Sequence, residues 1–165
     1  MQQDTSHCLA ATDNRHPLLQ IGLVAGLAGG LAEILWIAVY AAGTDTSAAT
    51  VARGVVEALG LGGGPNSVSL GVTIHIALAG ALGIAVVAVL QALQSRWRGW
   101  GVHLALVLAA LSGVWAFNFL LLLPVLSPEF IAMVPMPVSF VSKLLFGLAA
   151  FAAFQTSGPR ASAQL

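Results

Sequence analysis

LLQIGLVAGLAGGLAEILWIAVYAA, residues 18–42, decides the fold. About 20 mostly apolar residues are needed to cross a bilayer as a helix, and Leu18–Ala42 supplies them with Glu33 as its one charge. A secretory leader has an apolar core of only about 7–15 residues, so the run is retained as a membrane span, although Ala41, Ala42 and Gly43 have the small-residue form of a cleavage site. Within it, Gly22, Gly26 and Gly30 form a doubled small-xxx-small pattern, the surface through which a second helix backbone approaches closely.

Working outward, Ser69–Leu93, Gly101–Leu123 and Val138–Phe154 read as three further spans. The composition of the 165 residues agrees, with 58% hydrophobic and 7% charged residues and a mean hydropathy of +0.93. Soluble chains carry about 25% charged residues. Six Lys+Arg and six Asp+Glu cannot coat a soluble globule of this size, which argues against a soluble enzyme, a nucleic-acid binder and a disordered chain. The single cysteine, Cys8, excludes an internal disulfide and any multi-cysteine metal centre. No nucleotide-binding, hydrolase or zinc-protease motif occurs, and nothing points to an enzyme. The expected fold is therefore an all-α polytopic bundle of four transmembrane helices in one membrane domain, residues 18–154, between tails 1–17 and 155–165.

Arginine placement predicts the orientation, because short cytoplasmic segments carry the excess of Lys and Arg. Arg15, then Arg96 and Arg98, then Arg160 fall on one side of the membrane, which places both termini in the cytoplasm. The bias toward Ala, Gly and Leu suggests a bacterial inner membrane. In the first outer loop, Ala48, Val51, Ala52, Val55 and Leu59 recur at helical spacing, with Arg53 and Glu57 as an i,i+4 pair, so an interfacial helix is expected there. Gly60–Pro65 reads as a flexible connector. The second outer loop, Pro124–Pro137, contains Ser127-Pro128-Glu129, the pattern of an N-cap with Pro at the first helical position, and predicts a short interfacial or re-entrant helix through Val134.

Ionisable side chains are costly in hydrocarbon, and each demands a reason. At a rise of about 1.5 Å per residue, Glu33 lies ~4.5 Å, Lys143 ~6 Å, His75 ~7.5 Å and Asn118 ~9 Å outward of their span midpoints. All four share the outer half of the bilayer. Glu33 lies on the glycine face of its helix, His75 between Gly71 and Ala79, and Lys143 between Ser139 and Gly147, so small residues flank all three. Asn118 has Trp115 and leucines around it instead.

Three accounts of the cluster compete: neutralisation and hydrogen bonding between helices, a site that binds or passes a proton or a divalent metal ion, and a site for an organic cofactor or lipid. Imidazole beside carboxylate is the usual equipment of proton relays and of borderline metals, and the functional reading is an ion- or proton-handling site of Glu33, His75, Asn118 and Lys143. Gly71, Thr73 and Ser139 form a candidate path outward from it. The alternative is a non-catalytic accessory or scaffold subunit that docks a homo-oligomer or a larger membrane complex through Gly22, Gly26 and Gly30. Haem is disfavoured, because the levels of His75 and His103 differ by about 20 Å. Met133 and Met136 form an outer M-x-x-M that could hold copper(I), against the simpler role of apolar anchors. His7 and Cys8 are an adjacent pair of soft ligands in the N-terminal tail.

Overall fold

The computed structural model describes residues 15–62, 64–93 and 99–157, and among them every regular element is helical. The pair His7 and Cys8 and the residues Arg96, Arg98 and Arg160 lie outside this set. In chain order the elements are α1 (Arg15–Ala42), α2 (Ala48–Ala58), α3 (Ser67–Leu93), α4 (Trp100–Ala116), a π-helical turn (Phe117–Leu122), α5 (Leu123–Leu126), α6 (Pro128–Met133) and α7 (Met136–Ser157). Four helical stretches are long and apolar enough to span a bilayer: Pro17–Ala42, Ser67–Leu93, Trp100–Leu126 and Met136–Ser157. The chain is an integral membrane protein built as a four-helix bundle.

The two faces of α1 explain its central place. Leu19, Leu23, Leu27, Leu31, Leu35 and Val39 stand one turn apart and are all exposed, a continuous stripe for lipid. Gly22, Gly26 and Gly30 lie on the adjoining stripe, about 60–100° round the helix, and press on α3. A Cβ on Gly22 would stand 2.6 Å from the Ile84 Cα, one on Gly26 2.8 Å from the Gly80 Cα, and one on Gly30 2.7 Å from the Ala79 Cβ. Gly83 of α3 returns the fit by meeting the Gly26 backbone. In lipid this shape-matched contact matters more than apolar burial, since lipid tails are as apolar as leucine. The glycine face is thus used within one chain.

On its other side α1 packs against α7. Phe146 lies fully buried against Gly29, and the Trp36 indole Nε1–H donates to the Val138 carbonyl at 2.9 Å. Helix α4 packs on α7 through Val107, Leu108 and Leu111 around Gly147, and scarcely touches α3. The core of the bundle is Phe146, Leu90, Leu111, Val87 and Ala150, with Phe151 and Phe154 toward the end of α7.

The third span continues past its expected end at Leu123 to Leu126, with Pro124 inside it. In an α-helix the Pro124 ring would collide with the Leu120 carbonyl. The widened π turn accommodates it, with the Leu123 N–H bonding to the Asn118 carbonyl five residues back. Helix α6 starts at Pro128 as expected, but Ser127 makes no side-chain cap; its carbonyl accepts from the Phe130 N–H at 3.1 Å.

Helix α2 forms where the periodicity placed it, with details that differ. The Ser47 hydroxyl caps it by accepting from the Thr50 N–H at 3.0 Å. It ends in a Schellman arrangement, in which Gly60 at φ 70° lets Leu61 N–H reach the Val56 carbonyl at 3.2 Å and Gly60 N–H reach Glu57 at 2.9 Å. The buried stripe is Val51, Gly54 and Val56, whereas Leu59 is exposed. Arg53 and Glu57 form no ion pair; the Arg53 guanidinium donates to the Thr50 hydroxyl at 3.3 Å, a partner one turn nearer the helix start.

Candidate functional site

The site lies where the α1–α3 seam stops being close. From Gly22 to Gly30 the glycines hold the two backbones together. Beyond Gly30 comes Glu33, and there α2 wedges across the end of the bundle: Gly71 of α3 packs under the Ala52 backbone, so that a Cβ on Gly71 would lie 2.8 Å from the Ala52 carbonyl carbon. Phe130 of α6 covers Gly54 of α2. Between the seam and this wedge lies a cavity of about 340 Å³, bordered by α1, α2, α3, the π turn, α6 and α7. Its polar groups, Glu33, His75, Ser139, Ser142 and Lys143, all come from the spanning helices, whereas α2 and α6 contribute apolar residues such as Val51 and Phe130.

Glu33 is 3% exposed and anchors the polar end. Its Oε1 accepts from Lys143 Nζ at 2.6 Å and from the Ser142 hydroxyl at 3.3 Å. Its Oε2 faces His75 Nε2 at 3.6 Å. That nitrogen is itself buried and has no hydrogen-bond partner. The Lys143 ammonium also stands 5.7 Å from the centre of the Phe146 ring, a cation–π contact. Gly30 makes room for Ala79, with which a Cβ there would collide, while His75 Nε2 would stand at ordinary contact distance, 4.0 Å.

Three of the four residues singled out in the sequence, Glu33, His75 and Lys143, therefore meet. Asn118 does not join them: it lies in the π turn, its backbone carbonyl serves Leu123, and its side chain does not border the cavity that Glu33, His75 and Lys143 share. Ser142, which sequence reading missed, joins instead. Its only sequence signal was adjacency to Lys143 and one-turn spacing from Ser139. Ser139 is spent on packing, donating to the Met136 carbonyl and accepting from Trp115 Nε1–H, both at 2.9 Å. Trp115 in turn stacks on Phe119 and meets Phe140 edge-on.

Of the expected path through Gly71, Thr73 and Ser139, Gly71 and Ser139 border the cavity and Thr73 does not. Gly71 is closed by Ala52, and the Thr73 hydroxyl donates to the Ser69 carbonyl at 2.8 Å on an exposed face. Beyond the cluster the cavity wall is apolar. Met133 packs its methyl group near Gly54 beside Phe130, while Met136 is exposed at the start of α7. Among the described residues no three His, Cys, Asp or Glu side chains gather as a metal-ligand group.

Comparison with known proteins gives no relative to set beside this arrangement: no protein-family model, no curated protein and no solved structure matches the chain.

Proposed function

We propose that this is a membrane-embedded proton-binding protein, in which Glu33 and His75 share an exchangeable proton and Lys143 fixes the charge of the pair. The supporting observation is the opposition of Glu33 Oε2 and His75 Nε2 at 3.6 Å, with Lys143 and Ser142 both on the other carboxylate oxygen. A closing movement of about half an ångström makes that opposition a hydrogen bond. A proton can then be held by either atom without either becoming an isolated buried charge.

The donor chemistry favours a proton over a metal ion. A divalent cation between Glu33 and His75 would face the Lys143 ammonium, which already holds the carboxylate at 2.6 Å. One imidazole and one carboxylate also fall short of the roughly four protein and solvent ligands that zinc takes. The scaffold reading loses its docking surface, because Gly22, Gly26 and Gly30 are packed against α3.

Infrared difference titration of the protein in nanodiscs tests the proposal. A carboxylic-acid C=O band is expected that is absent in Glu33→Gln and whose midpoint moves in His75→Ala. A Glu33 carboxyl that keeps one protonation state over the whole pH range of the folded protein, or a midpoint indifferent to His75→Ala, overturns the reading. Thermal protection by Zn²⁺ that is lost in His75→Ala would restore the metal reading in its place.

A further inference from the structure

We propose that the cavity beside Glu33 is a binding site for a neutral, carbonyl-bearing lipophile, with the carbonyl held by His75 and Lys143 and the apolar body lying against α2. This goes beyond proton binding, and it needs from that reading only that His75 and Lys143 present N–H groups to the cavity.

The size and polarity of the space support it. At about 340 Å³, the cavity falls in the range of small-molecule sites, which run to about 300–1,000 Å³ and are apolar with a few convergent polar groups. Water would be poorly served there, since an ordered water needs about two to four polar partners and the wall beyond the Glu33 cluster is built of Ile34, Ile37, Val51, Val55 and Phe130. An apolar occupant with one polar end matches this distribution.

The polar end selects the kind of head group. Lys143 carries three N–H donors, and Glu33 takes one. His75 Nε2 is buried and turned to Glu33, so with the proton shared between them the N–H that the imidazole offers the cavity is at Nδ1. Ser139 and Ser142 already donate, to the Met136 carbonyl and to Glu33. The cluster therefore has hydrogen-bond donors to spare, and its ligand should be an acceptor. Lys143 is the one Lys or Arg bordering the cavity and is held by Glu33, so a carboxylate or phosphate head would have to compete with Glu33 for it in a site of low dielectric. A neutral carbonyl meets both conditions.

The mouth supports access from lipid. Among the residues bordering the cavity, Ala38 of α1, Ala48 of α2 and Val72 of α3 are exposed, and they come from the three helices that meet on one side of it. All three are apolar, so the opening adjoins hydrocarbon more readily than water. An isoprenoid quinone and a neutral acyl ester both carry the required carbonyl.

Equilibrium binding to the full-length protein in detergent micelles, with decyl-benzoquinone and dioleoylglycerol as separate probes, tests the inference and distinguishes the two sources. Saturable binding of one or both is expected, weakened at least tenfold by His75→Ala. Val72→Trp should plug the mouth and abolish binding while leaving the melting temperature without ligand unchanged; Ala38→Phe is a second plug should that variant misfold. Binding by the quinone alone, or by the ester alone, identifies the source. Failure of both probes to bind, or binding within twofold of the parent in both His75→Ala and a folded plug variant, overturns the proposal. Tighter binding of palmitate than of either neutral probe overturns the assignment of a neutral head. The assay is run at one pH, so its outcome is separate from that of the infrared titration.

Discussion

Removing one member of the Glu33–Lys143 pair should harm the protein more than removing both. The atoms lie 2.6 Å apart, with side-chain exposures of 4% for Glu33 and 20% for Lys143. At an effective dielectric constant of about 20 the gross attraction over that distance is about 6 kcal/mol. Desolvation takes back much of it, and loss of one partner from a buried pair typically costs about 3–5 kcal/mol. Lys143→Met leaves the carboxylate with the Ser142 hydroxyl and His75 and should cost about 3 kcal/mol. Glu33→Gln should cost somewhat less, about 2 kcal/mol, because the ammonium keeps the Phe146 ring and partial exposure. The double variant places a neutral amide beside a thioether of similar length, retains the Ser142 contact, and should lose only about 1 kcal/mol. The coupling is then about 4 kcal/mol, well beyond the additivity error of about 0.5 kcal/mol. Reversible unfolding of the four proteins in mixed micelles, titrated with sodium dodecyl sulfate and followed by tryptophan fluorescence, measures it. Single-variant losses that add to give the double variant's loss would refute the pairing and, with it, the assignment of Lys143 as fixed counter-charge.

Gly26→Leu should destabilise the monomer by about 1–3 kcal/mol or more through overpacking against Gly80 and Ala79, measured in the same unfolding assay, while light scattering shows the detergent-complex mass of the parent; unchanged stability with a lower mass would instead make the glycines an intermolecular contact. In a Cys8→Ser background, a cysteine at Asn66 should react with impermeant maleimide on intact cells and one at Ser95 only after permeabilisation, as the arginine distribution requires. The opposite labelling pattern would reverse the proposed topology.

Much of the architecture was legible because membrane spans depend on length and apolarity, which are local properties. The leucines of α1 recur every fourth residue, the glycines occupy the adjoining stripe, and a polar residue in line with those glycines had to point at protein. Depth and small-residue flanks brought Glu33, His75 and Lys143 together. Depth failed for Asn118, whose level suited the cluster, because depth does not fix direction and the π turn rotates that part of the chain out of α-helical register. The expected end of the third span at Leu123 fell short for a related reason: proline breaks an α-helix by colliding with the carbonyl four residues back, and the widened turn before Pro124 removes that collision. Arg53 and Glu57 had the right spacing for a pair, yet Thr50 offers Arg53 a nearer acceptor. The cavity itself had no local signature, since it is formed by α2 and α6 crossing helices that are distant in sequence.

The contrast between the two halves of the α1–α3 seam accounts for the site. If the glycine contact of Gly22, Gly26 and Gly83 ran the full length of both helices, Glu33 and His75 would be pressed together as packing residues with no free volume beside them. Instead Gly71 lets the α2 backbone descend onto α3, and Gly54 lets Phe130 close over α2 from above. Gly30 marks the transition, being tight against Ala79 on one side and at ordinary contact distance from His75 on the other. Small residues thus do opposite things at two depths: Gly22, Gly26 and Gly83 eliminate space, and Gly71 and Gly54 admit the elements that enclose it. A structural ion pair would need only the first. The second group is what encloses the space beside Glu33.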